Sequence, residues 1–198
     1  MNKQVLHPDI YYYTNLIPNV KDLIKEIEDM DAAQRFGSQI SKWETWTPHS
    51  SPEVVYGKVK RSYINLFAND TEVDRHNSKV CSLVTYLALT MAEEYAKEHD
   101  IDLGYLPVYF GINKYDVGVY MGPHVDSGYG ADDNSTVSMV IYLNDEYEGG
   151  EIEFPDHGIS IKPEAGSAVV FPSVGCLHDP KPTISGTKYM IPLFFFTR

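Results

Sequence analysis

The residues of this chain that could do chemistry begin with a His-x-Asp pair, His124 and Asp126, at the end of the aromatic, glycine-punctuated stretch 115–126. In a strand, residues two apart lie on the same face, so the imidazole and the carboxylate would point the same way while Val125 points into the opposite layer. One nitrogen and one oxygen on the same side of a metal ion make up two thirds of a facial triad. The pair therefore predicts part of a metal site.

The motif by itself is weak evidence, because a second His-x-Asp occurs in the same chain at His7-Pro8-Asp9. Pro8 removes a backbone donor that a strand ladder would use, and we find no strand-like run before His7. We interpret this second pair as part of a turn. The context of His124 is the better one for a metal ligand.

A third ligand has to come from further along the chain, where His157 and His178 are the remaining candidates. His157 lies in Pro-Asp-His-Gly between two short apolar runs, which is hairpin-turn chemistry and predicts a solvated turn residue. His178 follows the apolar run 168–172, and ten residues later (188 − 178) Lys188 is the cation that leads into the final apolar strand. This arrangement is more specific than the turn around His157, and it favours His178 as the third metal ligand.

The order His124-x-Asp126, then His178, then Lys188 resembles the iron(II)- and 2-oxoglutarate-dependent dioxygenases, specifically their prolyl 4-hydroxylase-like branch. The resemblance runs from about residue 107 to residue 196. Its further pieces are Tyr115 before the first histidine, the strand 140–144, the Glu-Gly-Gly-Glu turn 148–151 and the step 163–168 before the last metal-bearing strand. The order and spacing of these pieces carry the resemblance.

The resemblance implies that the two histidines and the aspartate bind iron(II) and leave three positions open for 2-oxoglutarate and O2. It also implies that Lys188 holds the distal 5-carboxylate of 2-oxoglutarate, in the version of the pattern that uses lysine instead of arginine. A lysine acts there as a point charge, so a hydroxyl helper is expected. Tyr142 and Tyr115 are the candidates for this helper.

The implied activity is oxidative decarboxylation of 2-oxoglutarate to succinate and CO2 with hydroxylation of an unactivated C–H bond, and ascorbate is a candidate reductant. No catalytic residue separate from the metal ligands is expected, because metal and co-substrate perform the hard chemistry. A prolyl residue of a peptide or protein is the expected target. A free amino acid or other small molecule is the alternative substrate, and a non-catalytic metal- or partner-binding module is the alternative from another class.

Length and composition predict one domain over residues 1–198, with helical support and outer strands in 1–106 and the catalytic core in 107–198. The formal net charge of −12 argues against nucleic acid as a partner and favours a neutral or basic substrate. Cys81 and Cys176 fit neither a disulfide framework nor a zinc site, so both are expected in the core. Without a signal pattern or a run long enough to cross a bilayer, the chain is expected to be cytoplasmic, with no membrane partner.

The pattern of apolar residues predicts an α+β fold with a mainly β core, a double-stranded β-helix or jelly roll buttressed by amino-terminal α-helices. The predicted helices cover 19–30 and about 74–99. The predicted strands of the core are 108–115, 119–126, 136–144, 151–154, 159–162, 167–171 and 188–197.

Two further features are hypotheses about the substrate side of the molecule. Trp43 and Trp46 could line a substrate groove, although aromatic residues most often serve the core. The polar stretch 127–135 follows the metal pair directly and could be a lid that closes on substrate.

Overall fold

The structure is a computed structural model of the chain, and it describes residues 1–32, 43–46, 61–65, 79–103, 111–119, 121–126 and 135–197. These residues include two α-helices, α1 (Val20–Ala32) and α2 (Lys79–Glu98). The strands are β1 (Asn2–His7), β2 (Ile10–Thr14), β3 (Glu44–Trp46), β4 (Arg61–Asn65), β5 (Gly111–Tyr115), β6 (Ser135–Tyr142), β7 (Tyr147–Gly149), β8 (Ile152–Phe154), β9 (Ile159–Ile161), β10 (Ser167–Pro172), β11 (Asp179–Pro180), β12 (Thr183–Gly186) and β13 (Lys188–Phe196).

Both predicted helices form, and each buries one apolar stripe. In α1 the stripe includes Leu23 and Ile27, and in α2 it includes Met91 and Tyr95. The end of α2 is set by Asp100, whose φ of 53° is left-handed, and by the bond from the amide of Ile101 to the carbonyl of Ala96, 2.9 Å long. This is a Schellman ending. The predicted residues 74–78 lie outside the described part of the chain.

The main sheet has eight strands in the order β1-β2-β10-β6-β13-β5-β4-β3, and all its neighbours are antiparallel. Alternate side chains therefore point to opposite faces. One face carries the helix-side core, in which Ile141, Ile191 and Leu193 pack with the helices. The other face, called the inner face below, carries Tyr142 and Met190.

Two small sheets, β11-β8-β9 and β12-β7, accompany the eight-stranded sheet. Ile152 and Phe154 of β8 pack with Tyr12 and Phe171 of the main sheet, so a second apolar core lies on the inner face. Strands on both sides of this core, with helices on the outer face of the large sheet, make a double-stranded β-helix. The predicted mainly β, α+β fold is confirmed.

The predicted strand 119–126 is wrong for the residues that the structure describes there. Residues 119 and 121–126 form no strand, and a single antiparallel bridge joins His124 to His178. The physical reason is local, because Gly118 and Gly122 have left-handed φ values of 82° and 76° and Pro123 has no amide hydrogen to donate.

The amino-terminal prediction is wrong in part, since the run before His7 forms β1 and pairs with β2. The turn prediction for His7-Pro8-Asp9 is confirmed, because Pro8 and Asp9 connect these two strands. Strands β7, β11 and β12 were not predicted either. They have two to four residues each, too few for a hydrophobic period to show.

Neither helix within the described ranges combines the length and the apolar character that crossing a membrane would require.

Candidate active site

His124 and His178 are brought together by the bridge that replaces the predicted strand. The amide of His124 donates to the carbonyl of His178 at 2.9 Å, and the amide of His178 donates to the carbonyl of His124 at 3.0 Å. Residues paired in this way put their side chains on the same side. The two imidazole rings lie 4.2 Å apart between centroids.

Asp126 places its carboxylate between the two rings. Its Oδ1 lies 3.3 Å from Nε2 of His124 and 3.7 Å from Nε2 of His178. Ligand atoms about 2.1 Å from one metal ion and at right angles to each other are about 3.0 Å apart, so these spacings are close to those of a shared metal. Within the described residues, this is the group of three side chains whose ligand atoms all lie within 4.8 Å of one another.

The outer nitrogens of both rings are held by backbone carbonyls. Nδ1 of His124 lies 2.8 Å from the carbonyl of Gly122, and Nδ1 of His178 lies 3.1 Å from that of Cys176. A carbonyl oxygen only accepts, so each Nδ1 donates, and Nε2, the ring nitrogen nearer to Asp126, is left as the ligand atom for a metal. The tautomers are those that a metal requires.

The surroundings of Asp126 and His178 favour the protonation states in which these two side chains bind a metal. Burial alone would raise the pKa of Asp126, but the neighbouring His124, His178 and Ser138 outweigh it and hold this pKa below its usual value. Burial lowers the pKa of His178, which favours the neutral ring. The rings of Phe171 and Phe154 lie 4.8 Å and 6.2 Å from that of His178 and shield it from water.

Lys188 is the buried cation of the inner face, with 1% of its surface exposed. Its Nζ donates to the carbonyl of Gly150 at 2.8 Å. It also lies 5.4 Å to 6.0 Å from the ring centroids of Tyr142, Tyr115 and Tyr147. Burial lowers the pKa of Lys188 to about 7, with a further decrease from Lys162 that Glu151 partly opposes. An anion would restore the charged form of this amine.

Strand register explains how the predicted helpers reach Lys188. Lys188 is paired with Tyr115 of β5, and Met190 is paired with Tyr142 of β6. All four side chains are on the inner face, because they occupy alternate positions of paired strands. Tyr115 and Tyr142 are fully buried, and burial raises the pKa of Tyr142 well above its usual value, so its hydroxyl stays protonated.

The metal group and the cation lie along one strip of the inner face. Ser138, which contacts Asp126, and Tyr142, which lies near Lys188, both belong to β6. They are four residues apart on the same face, about 13 Å along a strand that rises about 3.3 Å per residue. A short, elongated ligand could contact both groups.

Several buried polar atoms of the inner face and the small sheet beside it have no hydrogen-bond partner among the described residues, as is expected where a polar ligand or water binds. Among the buried side chains that the structure describes, these atoms are the hydroxyls of Tyr115, Tyr147 and Thr183 and both amide atoms of Asn113. Asn113 is on the inner face, two residues before Tyr115, and Thr183 is paired with Gly149 beside Tyr147. We call Lys188, Tyr115, Tyr142 and Tyr147 the cradle.

Sequence reasoning missed Asn113, Tyr147 and Thr183 as members of this site. A signal existed for Asn113, because it is an amide two residues before Tyr115 and so shares its face of a strand. No signal existed for the other two, which lie on short strands of the small sheet β12-β7. Only folding brings that sheet over Lys188.

Gly150 allows the close packing of the cradle wall. A Cβ atom at this position would lie 2.7 Å from Cε2 of Tyr147 and 3.1 Å from Cδ of Lys188, and the backbone φ is 68°. Both the space and the left-handed backbone call for glycine. The Gly-Gly turn of the sequence pattern therefore has a direct role in shaping this pocket.

The other residues singled out in the sequence do not belong to the metal group or the cradle as far as the structure describes them. Trp43 packs on the helix-side core and donates from Nε1 to Glu28 at 3.1 Å, so its position does not fit the expected substrate groove. His157 is exposed in the turn 155–157, as predicted, and its ring lies tilted against that of His7, with 4.1 Å between the centroids. Cys176 is buried, as predicted. The side chains of Trp46 and Cys81 and the suggested lid 127–134 lie outside the described part.

The family model of the 2OG-Fe(II) oxygenase superfamily matches residues 110–196. A PKHD-type hydroxylase of Paraburkholderia phymatum is 34% identical over 96 residues, which cover 43% of this chain and 41% of that protein. A PKHD-type hydroxylase of Paracoccus denitrificans is 31% identical over 143 residues, which cover 67% of this chain and 59% of that protein. The matches thus span less than two thirds of these relatives.

Solved structures share the fold over most of the chain. A prolyl-4-hydroxylase of Pseudomonas putida superposes with a TM-score of 0.69 at 20% identity, covering 96% of this chain and 93% of that one. A Trichoplax adhaerens prolyl hydroxylase, in complex with a peptide fragment of the hypoxia inducible factor oxygen degradation domain, gives 0.68 at 14% identity, with coverages of 98% and 86%. The matching family model, with the His-Asp-His group, shows that residues 110–196 belong to the 2-oxoglutarate- and iron(II)-dependent oxygenase superfamily, and the solved structures show that the chain shares the fold of prolyl hydroxylases.

Proposed function

We propose that this protein is a dioxygenase that uses iron(II), 2-oxoglutarate and O2 to hydroxylate an unactivated C–H bond, with His124, Asp126 and His178 as its metal ligands. The observation that carries the proposal is the convergence of two Nε2 atoms and one carboxylate oxygen on a single point. Two histidines and one carboxylate suit non-haem iron(II) and leave half of an octahedral shell for other ligands. The donor set thus fits the metal.

The chain's own residues supply position and environment. The carbonyls of Gly122 and Cys176 orient the two rings, and Ser138 contacts the carboxylate that lies between them. Phe154 and Phe171 exclude water from one side of His178. When bound, iron(II) would activate O2, the oxidant, one atom of which goes to 2-oxoglutarate as it becomes succinate and CO2 and the other to the substrate C–H bond, and no separate catalytic base is needed.

The cradle would hold the distal carboxylate of 2-oxoglutarate. Lys188 provides the positive charge, and Tyr115 and Tyr142 are the proposed hydroxyl helpers. The fit is supported by the hydroxyl of Tyr115, which has no hydrogen-bond partner among the described residues, and by the burial of Lys188, whose one hydrogen bond among them goes to a neutral carbonyl. A carboxylate would satisfy both, because charge-assisted hydrogen bonds are the strongest that a buried ammonium can make.

A prolyl residue of a peptide or protein is the proposed substrate. Support comes from the relatives, since the Paraburkholderia protein is a PKHD-type hydroxylase and the Trichoplax prolyl hydroxylase is seen with a peptide. The net charge of −12 favours a neutral or basic peptide over an acidic one. A requirement for ascorbate and a cytoplasmic location stay predictions.

Succinate formation from 2-oxoglutarate tests this function directly. We expect the protein with iron(II) and a peptide library to form succinate and to add oxygen to a subset of peptides, detected by mass spectrometry. His124→Ala should lower the rate by about 100-fold or more, since even the loss of a hydrogen-bond partner of a metal ligand costs about 10–100-fold. His157→Ala, which changes an exposed histidine outside the site, is the matched control.

Two outcomes would contradict the proposal. A protein that binds iron but forms no succinate with peptides or with an amino-acid pool would be a non-catalytic module. Equal losses in His124→Ala and His157→Ala would remove His124 from the metal site.

A further inference from the structure

A second lysine lies beside the cradle and has no place in the function proposed so far. Lys162 follows β9 and is exposed, yet its Nζ is tied to the backbone of the segment that carries Tyr147. It donates to the carbonyl of Tyr147 at 3.0 Å and to the carbonyl of Gly149. The same ammonium lies 3.9 Å from the ring centroid of Tyr147, in cation–π contact.

The segment 147–150 is shared between the two lysines. Lys162 binds the carbonyls of Tyr147 and Gly149, and Lys188 binds that of Gly150. Both ammonium groups also lie near the ring of Tyr147, Nζ of Lys162 at 3.9 Å and Nζ of Lys188 at 6.0 Å from its centroid. On the opposite edge, the amide of Gly150 donates to the carbonyl of Pro182 at 3.0 Å.

The hydroxyl of Tyr147 is the group that these contacts would hold in position. It is buried without a hydrogen-bond partner among the described residues, although the ring above it is firmly held. Burial raises the pKa of Tyr147, so the hydroxyl keeps its proton and can donate. A buried donor without a partner is destabilising, and an acceptor on the ligand would remove this cost.

We propose that Lys162 is a positioning residue of the cradle, which fixes the 147–150 segment so that the Tyr147 hydroxyl donates to the distal carboxylate of the co-substrate beside Lys188. The inference rests on the proposed binding of 2-oxoglutarate at Lys188. It makes the site selective for a ligand with a carboxylate at its far end, because the Lys188 ammonium and a fixed hydroxyl donor would both bind that end. Lys162 itself does not contact the ligand.

The test measures the dissociation constant of 2-oxoglutarate by calorimetry, with Mn²⁺ in place of iron so that no turnover occurs. Measurements at about pH 6 keep Lys188 protonated, so that loss of the Lys162 charge does not act through Lys188 titration. Lys162→Met should raise the dissociation constant about three- to tenfold, the effect of one net hydrogen bond. Lys162→Arg, which can still donate to both carbonyls, should restore affinity.

Two companion variants separate positioning from a general loss of charge. On a Tyr147→Phe background, Lys162→Met should have no further effect, because the hydroxyl that it positions is gone. Lys25→Met removes an equal charge from an exposed i,i+4 ion pair on α1 and should leave the dissociation constant unchanged. Mn²⁺ binding without co-substrate should be equal in all these proteins.

The outcomes distinguish this inference from the proposed function. If Lys188→Met abolishes 2-oxoglutarate binding while Lys162→Met does not change it, the positioning role is wrong and the cradle stands. Additive effects of Lys162→Met and Tyr147→Phe would also overturn the positioning role. If Lys188→Met keeps its affinity, the cradle assignment itself is wrong.

Discussion

At the scale of single residues, the unusual feature is a lysine buried among tyrosines with no carboxylate in hydrogen-bonding contact among its described neighbours. The groups that face its ammonium are Tyr115, Tyr142 and Tyr147, with the charges of Lys162 and Glu151 further off. Burial disfavours the charged form of this lysine until an anion binds beside it. Ligand binding and protonation of Lys188 are therefore linked.

This linkage predicts a pH dependence of co-substrate binding. The pKa of Lys188 is about 7 in the ligand-free protein, and a bound carboxylate raises it. Affinity for 2-oxoglutarate should be highest below pH 7 and fall as pH rises through that value, by up to about tenfold per pH unit. Calorimetry with Mn²⁺ between about pH 6.5 and about pH 8.5 would measure the slope.

Lys188→Arg is the control for this pH dependence, because a guanidinium stays charged over the whole range. Its affinity should change little with pH. Parallel slopes in the two proteins would assign the titration to another group.

At the scale of elements, the face of the sheet opposite the cradle carries a polar clamp that joins α1 to two strands of the site. Glu28 of α1 accepts hydrogen bonds from Trp43 Nε1 at 3.1 Å, Lys114 Nζ at 2.9 Å and Tyr189 Oη at 2.6 Å. Lys114 and Tyr189 are paired neighbours on β5 and β13, one residue from Tyr115 and Lys188. The clamp thus supports the strand pair that carries half of the cradle.

Loss of the Glu28 clamp should lower stability. Burial would raise the pKa of Glu28, but the hydrogen bonds from Tyr189, Lys114 and Trp43 outweigh it and lower this pKa below 4.5. A lowered carboxyl pKa stabilises the fold above the unfolded-state pKa, and the contribution disappears as pH falls through the folded-state value. Glu28→Gln should therefore lower the free energy of unfolding by about 1 kcal/mol at pH 7, after allowance for partial exposure.

Urea unfolding at pH 7 and at about pH 3 would check this expectation, since the difference between the two proteins should shrink in acid. Glu26→Gln, at a half-buried position of the same helix, is the control. Equal stability of Glu28→Gln and the unchanged protein at pH 7 would show that the clamp contributes nothing.

At the scale of the whole molecule, the buried amine of Lys188 lowers the stability of the fold. The amine of Lys188 has a pKa of 10.5 in its ordinary state and about 7 when buried, so the unfolded chain binds the extra proton between these values. This difference destabilises the fold fully below pH 7 and vanishes as pH rises toward 10.5. Inner-face packing and the helix-side core must outweigh it.

Lys188→Met should consequently stabilise the ligand-free protein at pH 7, because it replaces a buried amine with an apolar side chain of similar length. We expect a Tm higher by about 5 °C, and no further increase when 2-oxoglutarate is added. The unchanged protein should show the reverse, a lower Tm that rises with 2-oxoglutarate. Thermal unfolding followed by circular dichroism measures both, and a lower Tm of ligand-free Lys188→Met would contradict the expected burial cost.

The sequence by itself determined the features that depend on local order. Helical and strand periods predicted both helices and most long strands, and the order of His124, Asp126, His178 and Lys188 indicated the superfamily. Single-domain organisation stays a prediction. The tertiary structure decided the features that depend on long-range pairing. These features are the irregular bridge that joins the two histidines, the inclusion of Asn113, Tyr147 and Thr183 in the site, and the position of Lys162 beside the cradle. Glycine and proline override the strand period locally, and very short strands gain their stability from partners far away in the chain, so no pattern within a few residues could contain this information.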